Sequence, residues 1–213
     1  MGIKERKQRH KEDFRIKILE AAKKLFVQEG IEATSIRKIA KEIEFSPTTI
    51  YLYYKDKSDI VYALHQEGFN LLRARAAPLM LVDHPFERLK AIGKAYLAFA
   101  MEEPDFYEVI FMKKEPIAFL DSHTVACEWE EGDMVFDLLR QTILDCQRHG
   151  YFKDINADVM SLQAWSTAHG IASLFVTGHL KKMSNLFIET TVDEKTFLDR
   201  TFQVYVSMLE KLK

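Results

Sequence analysis

The sequence predicts an all-α protein of about nine helices. Apolar residues recur at the three- and four-residue intervals of amphipathic helices, and nothing after Asp59 has the alternating pattern of a strand. The 213 residues include only 8 Gly and 5 Pro, which argues against a loop-rich β-sandwich. Because 47% of the residues are hydrophobic, the chain can bury a core, so a disordered protein is excluded.

Composition also indicates the compartment. The chain starts with a charged segment that has no apolar run behind it, and no stretch reaches eighteen apolar residues. These features predict neither a secretory signal nor a membrane span. The two cysteines, Cys127 and Cys146, do not form a disulfide framework, and free thiols in a reducing cytoplasm are the simplest interpretation.

The net charge of −2 hides an uneven distribution. Residues 1–60 carry 14 Lys and Arg against 10 Asp and Glu, whereas residues 61–213 carry 16 against 22. A basic end on an acidic chain favours contact between that end and a polyanion. The alternative is a solvated basic helix face.

The first two helices are predicted at about 14–29 and 34–43. Gly30 follows the first as a C-cap, and Thr34 or Ser35 can cap the second. A basic residue, Arg37 or Lys38, then occupies the third helical position. It opposes the helix dipole, which is consistent with an anion arriving from outside.

A third, short helix at 46–54 completes a helix-turn-helix. Ser46 is its N-cap and Pro47 its first residue, with only Glu44 and Phe45 before them. We expect Ile50 and Tyr54 to point inward, which leaves an outward face of hydroxyl and aromatic side chains. These suit phosphates and thymine methyl groups in a major groove. The outward residues are Thr48, Thr49, Tyr51 and Tyr53.

A fourth helix begins near Lys57. Asp56 can cap it, with Asp59 three residues further on. Lys57 at its first position adds a cation to the positive end of the helix dipole, which predicts a phosphate site.

Residues 14–64 resemble the DNA-binding domain of TetR-family transcriptional regulators. The resemblance rests on three ordered motifs, A-x-x-L-F-x-x-x-G, T-[ST]-[IV]-x-x-I-A and S-x-x-T-[IL]-Y-x-[YH]-F-x-x-K-x-x-[IL]. The matching residues are Ala22, Leu25, Phe26 and Gly30; Thr34, Ser35, Ile36, Ile39 and Ala40; and Ser46, Thr49, Ile50, Tyr51, Tyr53, Lys57 and Ile60. The chain departs from the family at its usual Gly-Val turn, which is Glu44-Phe45 here, at Pro47, and at Tyr54 in place of Phe. Glu44 in that turn is expected to strain the backbone slightly.

The resemblance implies a DNA-binding surface. Its contacting residues would be Arg37, Ser46, Thr48, Thr49, Tyr51, Tyr53 and Lys57. Arg37 and Thr48 are the candidates for base edges, and the others would position the backbone. The alternative for each tyrosine is a packing role. An N-terminal arm with Lys4, Arg6, Lys7 and Arg9 could track phosphates or enter a minor groove, or be a solvated tail.

The remaining segments are predicted to be helical as well. They lie at about 57–78, 86–101, 104–113, 128–149, 156–180 and 193–212. The predicted domains are therefore 1–56 for DNA binding and 57–213 for effector binding and dimerisation. Trp165 to Gly170 also resembles the W-x-x-x-H-G helix of many C-terminal domains in the family.

Aromatic side chains in the second domain fit either a plain core or an apolar cavity that holds a small molecule. The resemblance implies an effector there. The predicted lining is Tyr96, Phe99, Phe106, Tyr107, Trp129, Phe136, Trp165 and His169. An acidic group is interpreted as a solvated face, with selection of a cationic ligand as the alternative. It comprises Glu102, Glu103, Glu128, Glu130 and Glu131.

The last two long helices predict a dimer interface, because the resemblance implies a four-helix bundle between two copies. One helix offers small residues and the other an apolar stripe. The predicted interface residues are Ser161, Ala164, Ala168, Ala172, Val204 and Met208. The alternative is packing within one chain.

The sequence therefore predicts a ligand-responsive, cytoplasmic transcriptional regulator that is not an enzyme. The resemblance favours a repressor that leaves a palindromic operator when an apolar or amphipathic effector binds. His123 with Cys127 and Cys146 with His149 share helix faces, but no ligand cluster completes them, so neither a metal nor a cofactor is predicted. The alternatives are a structural or adaptor DNA-binding protein with a filled core, and a helical enzyme with a basic N-terminus.

Overall fold

The computed structural model describes residues 2–122, 129–187 and 193–212, and these ranges contain eleven α-helices and no strand. The predicted all-α fold is thus confirmed. The helices are α1 Ile3–Glu29, α2 Ile36–Glu42, α3 Pro47–Tyr51, α4 Lys57–Ala76, α5 Pro85–Glu102, α6 Pro104–Tyr107, α7 Glu115–Ser122, α8 Glu130–Arg148, α9 Ala157–Val176, α10 His179–Phe187 and α11 Glu194–Glu210. A 3₁₀ turn over Ala77–Leu81 follows α4, and a π-helical turn over Glu108–Met112 follows α6.

Several element boundaries differ from the sequence prediction. Helix α1 begins at Ile3 rather than near Phe14, because its polar first turns show no apolar period to reveal them. The segment predicted at 156–180 is divided, since Gly178 adopts φ +73° and ends α9 before α10 begins. Helix α7 was not predicted, because its eight residues are too few to show a helical period.

The chain packs as two compact units. The first comprises Met1–Gly68 with Asp105–Glu128, and the second comprises Phe69–Pro104 with Trp129–Lys213. Helix α4 contributes residues to both. This division describes packing, whereas the division predicted at residue 57 concerns function and stays a prediction.

The core of the first unit is the one that the sequence periodicity predicts. Ile18 and Phe26 of α1 are completely buried, as are Ile39 of α2 and Ile50 of α3. Four such side chains are each worth about 1.5–3 kcal/mol of burial, so they supply much of the stability that holds the short α2 and α3 in place. Thr34 is also buried and donates its hydroxyl to the carbonyl of Gly30 at 2.8 Å, which fixes the connection from α1 to α2.

The second unit is built around α5 and α9. Helix α5 packs against α8 and α9, and α11 packs against α9. Gly93 allows a close approach, since a Cβ there would lie 2.6 Å from the ring of Phe202 on α11. A partly buried ion pair joins α5 to α8, where Arg88 Nη2 lies 2.6 Å from a carboxylate oxygen of Asp145.

Among the helices of the described ranges, none has both the length and the apolar character needed to cross a membrane.

Candidate DNA-reading surface and effector site

The turn between α2 and α3 is tight and hydrogen-bonded. The Phe45 amide donates to the carbonyl of Ala40 at 2.9 Å, and Glu44 adopts φ +60°, in the left-handed region that favours glycine. Ser46 then caps α3, because its hydroxyl accepts the Thr49 amide at 3.2 Å. These features fix the direction in which α3 leaves α2.

Helix α3 shows the predicted division into two faces. Ile50 and Tyr54 are buried, whereas Thr48 is exposed and Tyr51 is 56% exposed. Because α3 has a hydroxyl and a phenol on its outer face, it offers donors and acceptors to a ligand that approaches from solvent. The site residues themselves remain predictions.

Three other predicted contacts are partly engaged inside the protein. The hydroxyls of Ser46 and Thr49 lie 2.9 Å apart, and Thr49 is half-buried. The ring of Tyr53 is half-buried and packs on Phe14 of α1 at 5.0 Å between centroids. These residues thus have a packing or capping role whether or not they also contact DNA.

Arg37 and Lys38 at the start of α2 have different surroundings. Ser35 is the cap, so Lys38 holds the third helical position, and its ammonium lies 2.5 Å from Glu29. Arg37 is exposed on α2, beside this ion pair in sequence. Both side chains are exposed, and the ammonium of Lys38 already has a carboxylate beside it.

Lys57 is the predicted contact whose placement differs most from expectation. Its ammonium donates to the carbonyl of Ile31 at 2.7 Å and to that of Glu32 at 3.3 Å. It therefore holds the loop that follows α1. One of the three ammonium protons remains for a phosphate, so the predicted contact and this structural role are compatible.

The predicted cap of α4 is present. Asp56 accepts the Asp59 amide at 2.9 Å, and the carboxylate of Asp59 accepts the Lys55 amide at 2.9 Å. These reciprocal bonds fix the start of α4, and hence the backbone of Lys57.

Two exposed apolar side chains border the predicted surface and were absent from the prediction. Leu52, which follows Tyr51, is 75% exposed, and Phe45 in the turn is 47% exposed. Phe45 also packs edge-on against Phe14 at 4.6 Å. The sequence does place each of these apolar residues beside a helix end, outside the apolar face of the helix. That position could have indicated an exposed side chain.

The N-terminal segment is helical, as part of α1, rather than an extended arm. Arg6 and Arg9 are exposed on it. The side chains of Lys4 and Lys7 lie outside the described residues.

In the second unit, three predicted effector residues meet at one point. The indole N–H of Trp165 donates to the Tyr96 hydroxyl at 3.2 Å, and that hydroxyl lies 3.1 Å from Nδ1 of His169. Burial lowers the pKa of His169, so the ring is neutral near pH 7. Trp165 and His169 are separated by one helical turn of α9, and Tyr96 reaches them from α5.

The other predicted lining residues are distributed over both units. Phe99 is fully buried, Phe136 is half-buried, and Trp129 packs edge-on against Phe69 at 5.6 Å. These three belong to the second unit, whereas Phe106 and Tyr107 belong to the first.

Phe106 and Tyr107 are buried in the first unit. There the ammonium of Lys23 lies 4.0 Å above the Phe106 ring, which ties α1 to α6. These two residues thus have a packing role, and their part in a pocket stays a prediction.

The acidic group is partly neutralised. Arg75 of α4 pairs with Glu102 at 2.5 Å and with Glu103 at 3.7 Å, so these two carboxylates already have a cation. Glu130 is exposed and Glu131 is half-buried, and Glu128 lies outside the described residues.

The predicted dimer residues fall into two classes. The four small residues of α9 are buried inside the chain, which is the intrachain packing named as the alternative: Ser161, Ala164, Ala168 and Ala172. Val204 and Met208 of α11 are 62% and 63% exposed. A small residue suits close packing against either a neighbouring helix or a second copy, so the sequence pattern did not distinguish the two.

Within the described part of the chain, no group of three or more His, Cys, Asp and Glu residues is placed to hold a metal ion. His123 and Cys127, which the sequence places on one helix face, lie outside it. Burial raises the pKa of Cys146 to about 12, so this thiol stays protonated.

Comparison with known proteins identifies the family. A model described as bacterial regulatory proteins, tetR family, matches residues 18–64, and one described as tetracyclin repressor-like, C-terminal domain, matches residues 89–195. The chain is 26% identical over 163 residues to the HTH-type transcriptional regulator HbdR of Aromatoleum sp. (strain CIB), across 76% of this chain and 69% of that protein.

Two solved structures share the fold. The fatty acid degradation regulator FadR from Bacillus halodurans is 16% identical with a TM-score of 0.69, over 90% of this chain and 94% of that one. AibR in complex with isovaleryl coenzyme A and operator DNA is 17% identical with a TM-score of 0.61, over 92% and 97% of the two chains. The helix-turn-helix and both family matches lead to one conclusion: the chain belongs to the TetR family of bacterial regulatory proteins and is a DNA-binding transcriptional regulator, not an enzyme.

Proposed function

We propose that the protein is a repressor that binds a palindromic operator as a homodimer in the cytoplasm and releases it when an amphipathic effector binds. The observation that carries this proposal is the outer face of the helix-turn-helix. Arg37 and Thr48 are exposed, and Tyr51 is 56% exposed, on two short helices whose opposite faces are completely buried. This face has no packing role that would explain its composition.

The chemistry of this face suits a duplex. An arginine can bind the O6 and N7 atoms of guanine in the major groove, while threonine can contact a thymine methyl group. The phenol of Tyr51 and the helix cap at Ser46 suit phosphate oxygens. Arg37 and Thr48 are therefore proposed to read bases, and Tyr51 and Ser46 to set the register.

An exposed apolar stripe supports the homodimer. Val159 and Leu162 of α9 are 61% and 53% exposed, and Val204 and Met208 of α11 are exposed to a similar degree. A Cβ at Gly170 of α9 would meet nothing within 4 Å, so packing within the chain does not require glycine there. We propose that a second copy covers this stripe and that its helix passes closest at Gly170.

A dimer also satisfies the geometry of DNA. A single short recognition helix contacts few base pairs, whereas two related by two-fold symmetry can occupy successive major grooves of a palindrome. The same symmetry makes the proposed interface self-complementary, since each α9 and α11 would meet its own counterpart.

The polar group formed by Tyr96, Trp165 and His169 supports the effector site. It joins α5 to α9, two helices with many buried apolar residues, and its atoms are a donor and acceptor set of the kind that orients an otherwise apolar ligand. Since AibR was solved with isovaleryl coenzyme A and FadR is a regulator of fatty acid degradation, we propose an acyl compound as the effector class. The acyl chain would lie against aromatic side chains and its carbonyl against the polar group.

Release of DNA requires that the effector bind the two states of the protein with different affinity. A hundredfold loss of DNA affinity corresponds to about 2.7 kcal/mol of coupling. Helix α4 carries Lys57 and Asp59 in the first unit and Arg75 in the second, so it is the proposed connection between effector and reading surface.

The test has two stages. First, the purified full-length protein is used to select duplexes from a random library, with the expectation of a palindrome protected in a footprint. Second, a series of acyl-CoA thioesters and the matching free fatty acids is added, and DNA release is measured by fluorescence anisotropy. A protein that selects no sequence would contradict the regulator, and DNA binding that no compound changes would favour the structural or adaptor alternative.

Variants at the polar group add a control to the second stage. Tyr96→Phe removes the hydroxyl shared by Trp165 and His169 and should weaken the response to effector at unchanged DNA affinity in its absence. Tyr205→Phe, which removes a hydroxyl from a half-buried position of α11 outside the polar group, is the matched change. Equal loss of DNA affinity and response in Tyr96→Phe would indicate a purely structural role.

A further inference from the structure

The first eleven residues of α1 form a helical extension whose described side chains are all exposed. Helix α1 begins at Ile3, yet among its described side chains Phe14 is the first that is buried. Glu5, Arg6 and residues 8–13 are all exposed. Exposed polar side chains contribute no burial to the fold, so the helical form of this segment needs another explanation.

The extension is continuous and capped. The Gly2 amide donates to a carboxylate oxygen of Glu5 at 2.8 Å, which closes the first turn. Glu5 and Arg9 are also spaced four residues apart, in the order that stabilises a helix. At 1.5 Å per residue, residues 3–13 span about 16 Å.

The extension starts beside the reading surface. Phe14 packs against Phe45 in the turn of the helix-turn-helix and against Tyr53 just beyond α3. The helix therefore projects from the same part of the first unit that carries the predicted DNA contacts.

Its charge is complementary to DNA. Residues 3–13 contain five Lys and Arg against three Asp and Glu, and Arg6, Arg9 and Lys11 are among the exposed residues. We propose that this extension, defined as residues 3–13, binds the phosphate backbone that flanks the operator and does so as a helix rather than as an extended arm in the minor groove. The proposal rests on the proposed DNA-binding function and adds a second contact surface to it.

The length and charge of the extension determine how far it should lengthen the footprint and how much it should change the salt dependence of DNA affinity. About 16 Å corresponds to about five base pairs at 3.4 Å per step, so the footprint should extend beyond the sites read by α3. Each phosphate that a cation neutralises contributes about −0.9 to the slope of log affinity against log salt concentration. With one extension on each protomer of the proposed dimer, three contacts from each should together contribute about 5 to the magnitude of this slope.

The first experiment removes charge without removing the helix. The triple substitution Arg6→Gln, Arg9→Gln and Lys11→Gln, which both protomers carry, is expected to make the salt slope shallower by about 5 and to lower operator affinity at least about tenfold. The preference for the operator over scrambled DNA should be unchanged, since phosphate contacts carry no sequence information. Lys153→Gln, Lys181→Gln and Lys182→Gln remove the same charge from exposed positions of the second unit as the matched control.

The second experiment tests the conformation. Gln8→Pro breaks the helix and keeps every charge. It should lower affinity and shorten the footprint, whereas an extended arm would tolerate it. Distamycin, which occupies the minor groove, should not compete with the flanking contact.

The outcomes separate this proposal from the function on which it rests. A wild-type protein that binds its operator, with an unchanged salt slope in the triple variant, would overturn the extension and leave the regulator intact. Normal affinity of Gln8→Pro would overturn the helical form. A wild-type protein without any preference for one DNA sequence would contradict the proposed function itself.

Discussion

The ammonium of Lys57 lies against two backbone carbonyls, so its contribution to stability can be measured by substitution. Lys57→Met should lower the free energy of unfolding by about 1–3 kcal/mol, because charge-assisted bonds to Ile31 and Glu32 are lost. Chemical denaturation measures this change, with Lys55→Met at an exposed neighbouring position as the control. Unchanged stability together with a loss of DNA affinity would instead assign the side chain wholly to phosphate binding.

His65 predicts the dependence of stability on pH. The side chain is fully buried, and burial lowers its pKa to about 4. The unfolded chain therefore takes up a proton below about pH 6.5 while the folded protein does not, so stability falls as the pH decreases from about 6.5 to 4. The loss should approach about 3 kcal/mol at the lower end.

Denaturation curves at several pH values measure this loss. His65→Gln cannot titrate and should flatten the dependence over that range. An equally steep dependence in His65→Gln would show that other groups cause it.

At the scale of elements, the turn between α2 and α3 contains a correctable strain. Glu44 at φ +60° costs about 1–2 kcal/mol relative to a residue without a Cβ, while glycine loses about 0.5–1 kcal/mol more conformational entropy on folding. Glu44→Gly should therefore raise stability by about 1 kcal/mol, measured by thermal or chemical unfolding. Glu44→Ala removes the carboxylate but keeps the Cβ, so it should give no gain; an equal gain would point to charge rather than backbone strain.

The two helices of the reading surface should contribute differently to recognition. Arg37→Ala on α2 should cost about 1–3 kcal/mol of operator affinity and relax the preference at one base pair. Tyr51→Ala on α3 should weaken binding to all sequences alike. Binding to a library of single-base operator variants distinguishes these results, and the reverse pattern would exchange the roles proposed for α2 and α3.

At the scale of the whole molecule, Gly170 tests the proposed dimer. The chain has room for a side chain there, so Gly170→Leu should leave the fold intact and shift the protein toward monomer in sedimentation equilibrium. Operator affinity should fall with it. Asp137→Leu adds an exposed leucine on α8 and is the control. A variant that remains fully dimeric would move the interface away from Gly170.

Two features of the molecule could be predicted from local sequence alone. The stripe of Ile18 and Phe26, and the caps at Ser35 and Ser46, follow from spacings of four residues or fewer, so the helices and their inner faces were predictable. The strain at Glu44 was predictable too, because a motif that normally holds glycine has a side chain there.

What the sequence by itself determined was the all-α class, most of the helices, the inward face of each of the first three, and the family, since periodicity, capping and turn chemistry act over a few residues. Tertiary structure decided the rest. Packing brings Tyr96 into contact with Trp165 and His169, about seventy residues away in the chain. It also places the ammonium of Lys57 against the carbonyls of Ile31 and Glu32. Finally, it buries Ala164 and Ala168 within the chain. These contacts depend on which helices meet, and a small or polar residue on a helix suits more than one partner until the packing of the chain selects it.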